Sequence, residues 1–330
     1  MKFQKKLELL MHEFELINKY FSKLTNKSKA SLNLNDDVFF HKKKKLVVTV
    51  DTYKEGKHFI NFNNPDLTVK KVIRSSISDL ICKGVKPKYY FLSASGNNKV
   101  FSKSNLSKIS KSLREEQKKY NLILGGGDTV YSNKLSFTVT SIGFSNKIIY
   151  RNKSKVNDDI YVTGNLGDSY LGLLILKRKI KINNKLSSYF VNQYYKPEIK
   201  YSLIGYLNKF ATSSIDISDG LIDDLEKLIN TQNNSYQIYL DEIPLSNSLR
   251  FVINSTNLLK KNLISNGDDY QVLFTANYKD RSFIKKISSL KKIKITRIGK
   301  ILHSKHKSTI IDRNGHQIEI NNKGYIHRFD

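Results

Sequence analysis

Short β-branched runs alternate with segments of helical period through the first half of this chain, and that alternation restricts its fold more than any other feature. "KLVVTVDTY" (45–53), "KYYFLSAS" (88–95), "NLILGG" (121–126) and "KLSFTVTSIGF" (134–144) read as strands. Between them, "LTVKKVIRSSISDLICKGV" (67–85) has helical spacing that stops at Gly84 with Pro87 beyond, and "KSNLSKISKSLREEQKKY" (103–120) is a second helix. Helices in such a series must bury their apolar stripe on a sheet face, so the expected class is a layered α/β (α+β) fold.

The pattern restarts after a polar segment, "SNKIIYRNKSKVNDD" (145–159), the best linker candidate. Strands are expected at 159–164, 213–218, 235–240, 270–276 and 291–302, and helices at 168–180, 201–213 and 219–231. At 330 residues the chain accommodates two domains of ordinary size, here divided as 1–146 and 147–330. Ahead of them, Phe3, Leu7, Leu10, Phe14, Ile17 and Phe21 fall at the spacing of an amphipathic helix. His12, Glu13 and Glu15 interrupt its apolar run before a signal-peptide core forms.

A formal net charge of +28 invites a nucleic-acid reading through counterion release. Lysine scattered with Asn and Ile along the whole chain fits a compositional bias better, and no nucleic-acid motif accompanies "HKKKK" (41–45). The longest apolar stretches fall far short of a membrane span. A single cysteine, Cys82, excludes an intrachain disulfide and any zinc site built from several cysteines. It reads as a small buried hydrophobe, and a cytoplasmic setting is expected.

The acids carry more information. Asp36 and Asp37 lie in "LNDDVFF", Asp51 ends "VVTVD", Asp79 sits in "SISDL", Asp128 follows three glycines in "LILGGGDTV", and Asp216 and Asp219 flank "DISDG". Each alone is explained as a cap or turn residue. Several carboxylates converging on one cleft would raise one another's pKa unless cations lie between them, and hard divalent ions with oxygen ligands are the natural partners. Phosphoryl transfer from a nucleotide suits such a cleft, because the catalyst mainly aligns the reactants and neutralises oxygens. No P-loop, protein-kinase catalytic loop or G-x-G-x-x-G element occurs. "GNLGDSYLGLL", from Gly164, offers backbone N–H groups to a phosphate or simply caps a helix.

Taken in order, "NDDVFF", "VVTVDTYKEGKHF", "SISDLICKGVKP", "LILGGGDT", "DIYVTGNLGDSYLGLLIL", "IDISDGLIDDL", "NGDDYQVLFT" and "NKGYIHRF" resemble the thiamine-monophosphate kinase family of the aminoimidazole-ribonucleotide-synthetase-like superfamily. They span almost the whole chain. The resemblance implies direct, ATP-dependent phosphorylation of thiamine monophosphate to thiamine diphosphate with several Mg²⁺ ions. It also implies a homodimer joined through the strands of an N-terminal mixed sheet, and a C-terminal α/β sandwich domain completing the cleft. Position by position, it makes Asp37, Thr49, Asp51, Asp79, Asp128, Asp216 and Asp219 metal ligands. Gly127, Asp128, Arg151 and Ser218 would bind ATP, the glycines letting it come close. His58, Asp268 and Tyr325 would bind the substrate.

Without the resemblance, His58 reads as a satisfied histidine, Arg151 as a solvated residue and Tyr325 as tail packing. Three departures stand out: Asn35 in place of the usual Gly before the two aspartates, Val50 in place of a hydroxyl residue, and Asp268 in place of Glu. Competing readings are an aminoimidazole ribonucleotide synthetase-like enzyme and a lysine-rich nucleic-acid binder. A selenophosphate synthetase would need a reactive residue that Cys82 does not match in context.

Overall fold

The computed structural model describes residues 13–325. Of the expected N-terminal helix, Phe3, Leu7 and Leu10 lie outside the described residues. The remainder begins as a single turn, α1 (Glu13–Leu16), and continues as a π turn and 3-10 turns up to Leu34. Tyr20, Phe21 and Leu24 along it stay exposed, so little burial holds this segment in a regular α-helix.

The first sheet contains β1 (Phe39–His41), β2 (Leu46–Lys54), β3 (Pro87–Gly96), β4 (Ile123–Tyr131) and β5 (Ser136–Phe144), in the spatial order β1-β2-β5-β3-β4. Only β3 and β4 run parallel, and the helical crossover that this demands is provided within 97–122. Helix α2 (Pro65–Cys82) covers one face, with α3 (Lys103–Tyr120) beside it. Val69, Val72, Ile73 and Ile77 of α2 pack with Tyr53, Phe137 and Val139. Ile77 is fully buried, so truncating it to Ala would cost about 2–5 kcal/mol. Among the described residues the other face is bare, with Val50, Phe91, Val130 and Phe144 exposed.

The glycines of β4 have a structural reason. A Cβ on Gly127 would lie 1.9 Å from the Leu92 carbonyl oxygen, and one on Gly125 would meet the Phe91 ring at 2.8 Å. The register between β3 and β4 slips here, between Tyr90 and Phe91. The strand therefore runs on to Tyr131 rather than ending at the glycines.

A second sheet contains β6 (Asp159–Thr163), β7 (Ala211–Asp216), β8 (Asn234–Tyr239), β9 (Val272–Ala276), β10 (Ile295–His303) and β11 (Thr309–Ile311), in the order β11-β8-β10-β6-β9-β7. Strands β6 and β9 are buried along their whole length, as strands covered on both faces must be. Helices α4 (Asp168–Leu176), α5 (Asn184–Tyr195), α6 (Ile204–Leu207), α7 (Leu221–Leu228), α8 (Asn247–Asn254), α9 (Lys260–Ile264) and α10 (Arg281–Lys291) form the surrounding layers. Ile160, Leu171, Phe190, Leu225 and Leu273 pack on one side, and Tyr161, Phe210, Phe274, Ile284 and Ile287 on the other.

Three expectations shift. Helix α4 stops at Leu176, before the basic run 177–179, and the residues expected as a helix over 201–213 give a 3-10 turn and α6 before entering β7. The polar segment 145–159 is packed rather than loose: Ile148, Ile149, Ser154 and Asp158 are buried.

The two sheets are joined over the C-terminal end of α2. Lys83 Nζ donates to the Ser214 carbonyl at 2.7 Å, Ser214 Oγ donates to the Cys82 carbonyl, and Ser78 Oγ donates to Asp216. Cys82 is a buried core residue whose thiol burial pushes well above its ordinary pKa. Carboxylates of α2, β2 and β7 are thereby drawn to one place.

Candidate active site

Alternation along β2 turns Thr49, Asp51 and Tyr53 toward α2, while Val50 and Thr52 point to the bare face. Asp79 lies one turn from the end of α2, and Asp216 is the last residue of β7. Single carboxylate oxygens of Asp37, Asp79 and Asp216 lie within 4.8 Å of one another. Thr49 Oγ1 donates to Asp79 Oδ2 at 2.6 Å. Asp51 Oδ2 is buried and accepts no hydrogen bond.

Burial raises the Asp51 pKa to about 7, and the nearby Asp216 carboxylate adds to the rise. Asp216 is pushed up to about 6, again by burial first. Asp79 is raised well above the carboxylate range by burial and by its neighbours Asp51 and Asp216. Among the described residues, no cationic side chain forms an ion pair with Asp51, Asp79 or Asp216. An orphaned buried oxygen among hard anionic donors fits a divalent ion of the Mg²⁺ kind.

A second acidic group opens α7. Asp224 Oδ2 accepts the backbone N–H groups of Ser218, Asp219 and Gly220 at 3.0–3.1 Å, which fixes the "SDG" turn. Lys227 Nζ pairs with Asp219 at 2.5 Å, Asp223 at 2.7 Å and Asp224 at 3.2 Å. A Cβ on Gly267 would lie 1.7 Å from the Ser218 carbonyl oxygen. Only glycine therefore lets the "NGDDY" loop lie against this turn.

The carboxylates separate two cavities. The larger, about 710 Å³, is bordered by Asp37, Thr49, Arg151 and Asp223. The smaller, about 340 Å³, is bordered by His58, Asp268, Tyr170 and Tyr270. Asp51, Asp79, Asp216, Ser218, Asp219 and Tyr325 border both. His58 Nδ1 accepts the Lys54 N–H at 3.0 Å, and the Tyr325 N–H donates to the Asp219 carbonyl at 2.9 Å. Asp268, at φ 69°, pairs with Lys71 at 2.8 Å and accepts from Tyr270 Oη at 3.2 Å.

Gly127 and Asp128 stand apart. Asp51 is in register with Val139, Val139 with Leu92, and Leu92 with Gly127. Three strand spacings put Gly127 about 14 Å from Asp51 across the sheet. Asp128 is exposed there, accepting the Thr129 N–H at 2.8 Å. Sequence reasoning missed Lys71, Lys83, Asp224 and Lys227. The Asp79–Lys83 spacing of one helical turn was a signal, but in a chain rich in lysine it did not stand out.

The fold and the divided cleft define a class of enzyme whose N-terminal half, residues 34–145, matches the family model "AIR synthase related protein, N-terminal domain". The chain is 33% identical to the thiamine-monophosphate kinase of Buchnera aphidicola subsp. Acyrthosiphon pisum, over 96% of this chain and 98% of that protein. It is 34% identical to that of Haemophilus influenzae, over 89% and 90%. The solved structure described as AaThiL complexed with AMPPCP and TMP superposes with a TM-score of 0.81 at 25% identity, covering 96% of this chain and 97% of that one. The chain belongs to the thiamine-monophosphate kinase family.

Proposed function

We propose that this chain transfers the terminal phosphoryl group of ATP to the phosphate of thiamine monophosphate, yielding thiamine diphosphate and ADP. One observation carries the reading: two cavities share a single wall of carboxylates, Asp51, Asp79 and Asp216, at which two phosphorylated substrates can meet. Family membership and the relative solved with AMPPCP and TMP support it.

ATP enters the larger lobe, where Arg151 and the backbone of the turn around Ser218 serve its phosphates. The thiamine moiety enters the smaller lobe, against His58 and Tyr325, with Asp268 held by Lys71. An oxygen of the acceptor phosphate attacks the γ-phosphorus as the bond to the β,γ-bridging oxygen breaks and ADP departs. Mg²⁺ held by Asp51, Asp79 and Asp216, with a further ion at Asp219, would neutralise the phosphate oxygens during transfer. Thr49 acts by orienting Asp79. The chain's own contribution is alignment, and no covalent enzyme intermediate is required.

Two finer parts belong to the same proposal. The bare sheet face is covered by a second copy of the chain, and Asp128 on the outer strand completes the partner's cleft instead of its own. The setting is cytoplasmic, in keeping with the single buried cysteine.

The reading is tested by incubating the protein with ATP, Mg²⁺ and thiamine monophosphate and following thiamine diphosphate by thiochrome fluorescence. Formation from the monophosphate and not from free thiamine, abolished by Asp79→Asn, is expected. Absence of product from folded protein that binds ATP would overturn it.

A further inference from the structure

The acids of the cleft differ in what already neutralises them. Asp36 and Asp37, just ahead of β1, face two cationic side chains. Lys83, fully buried, lies 2.8 Å from Asp36 Oδ1, 2.7 Å from Asp37 Oδ2 and 2.7 Å from the Ser214 carbonyl oxygen. Arg151 pairs through Nη2 with Asp37 Oδ1, and its backbone N–H donates to Asp36 Oδ2 at 3.0 Å. Two carboxylates and two cations make this quartet electrically neutral. Among the described residues, Asp51, Asp79 and Asp216 form no ion pair, and Lys227 leaves an excess of negative charge on Asp219, Asp223 and Asp224.

We propose that the Lys83 ammonium is a built-in cation of the phosphate site, occupying the place beside Asp36 and Asp37 that a divalent ion would otherwise take. The inference rests on the reading of the cleft as a divalent-ion site. Three oxygens at 2.7–2.8 Å around one nitrogen, two of them from carboxylates, are the surroundings of a bound cation. A divalent ion brought to Asp37 would have to sit against both Lys83 and Arg151, where repulsion between like charges in a buried site is large. Leaving is costly for Lys83 too, because its departure would strip Asp36 of a buried partner. Asp37 is therefore a ligand of resident side chains, and divalent ions are confined to the Asp51–Asp79–Asp216 wall and the Asp219 cluster. A cation on the chain stays in place when free Mg²⁺ falls, so Arg151 remains positioned.

The probe is Mn²⁺ alone, counted per metal-free chain from the loss of the free-ion electron paramagnetic resonance signal, for wild type, Asp37→Asn and Lys83→Met. Thermal melting checks that each variant is folded. Wild type and Asp37→Asn are expected to bind the same number of ions, and Lys83→Met one more. An ion lost in Asp37→Asn, or no ion gained in folded Lys83→Met, would overturn the proposal. If Lys83→Met does not fold, the Asp37→Asn count still decides. A wild type that binds no Mn²⁺ would remove the divalent-ion reading itself, and the proposal with it.

Discussion

Strands β2 and β4 belong to one sheet, and each carries an aspartate beyond an apolar run, yet the two carboxylates live in different surroundings. Asp51 is half-buried under α2, with one buried, unpartnered oxygen and a pKa raised to about 7. Asp128 is exposed and folds back on the Thr129 N–H. The difference lies in what covers each flank. The second half of the chain docks on α2, the helix that covers β2, through Ser78–Asp216 and Lys83–Ser214, whereas β4 is an outer strand with Val130 and Tyr131 in the open. A carboxylate becomes a candidate ligand where the fold removes water from it and supplies no cation.

The largest expected effect lies on the covered flank. Asp79→Asn or Asp216→Asn should lower kcat by on the order of 10³-fold, the loss typical of removing a group that stabilises developing charge. If either variant turns over at near wild-type rate in the thiochrome assay, the contrast between the flanks fails. On the bare face of the sheet, Val50→Lys with Val130→Lys should give a monomer in sedimentation velocity. If Asp128 serves a partner's cleft, activity should fall with it by roughly 10- to 100-fold, as for groups that support a ligand set. A dimer that persists, or a fully active monomer, would restrict β4 to a structural role.

Next in size is the response to pH. Because the fold raises the Asp51 and Asp216 pKa values from 3.8 to about 7 and about 6, the native state holds protons that the unfolded chain releases. Stability without divalent ions should therefore be fully present below about pH 4 as far as these groups are concerned, and decline as pH rises toward 7. Mg²⁺ must displace those protons, so its affinity should strengthen by about tenfold per pH unit for each proton released below pH 6. Calorimetry in buffers of different ionisation enthalpy would measure the release, and a pH-independent affinity would contradict the raised values. The smallest effect expected is at the far end of the smaller lobe. Asp268→Glu adds one methylene beside Lys71 and should change KM for thiamine monophosphate by about tenfold or less with kcat unchanged. A change confined to kcat would move Asp268 from binding to chemistry.

Much of the architecture was legible because it is local. The period of residues 67–85 marks α2 and its buried face, and the alternation in 45–53 assigns Asp51 and Tyr53 to one side and Val50 to the other. Helix α5 went unread because its apolar face, Phe190, Tyr194 and Tyr195, is spread among polar residues and acquires meaning only against α4. The segment 145–159 looked like a linker because its few apolar residues are isolated in sequence, though Ile148 and Ile149 are buried in space. Family motifs pointed to Asp128 as readily as to Asp51, since a motif carries no information about which flank of a sheet will be covered.

Composition and order of residues by themselves determined the layered α/β class, the two successive sheets, the placing of acids at strand ends and turns, and the family. The class, the sheets and the placing of the acids follow from backbone periodicity and short-range capping, which depend on neighbours in the chain, and the family from the resemblance of the ordered motifs. Tertiary structure alone decided which acids meet, which remain without a cation, and that Lys83, coming from the end of α2, reaches Asp36, Asp37 and Ser214. Charge pairing and desolvation act through space over a few ångströms, and residues 36, 83 and 214 come that close only when the two sheets close over one helix.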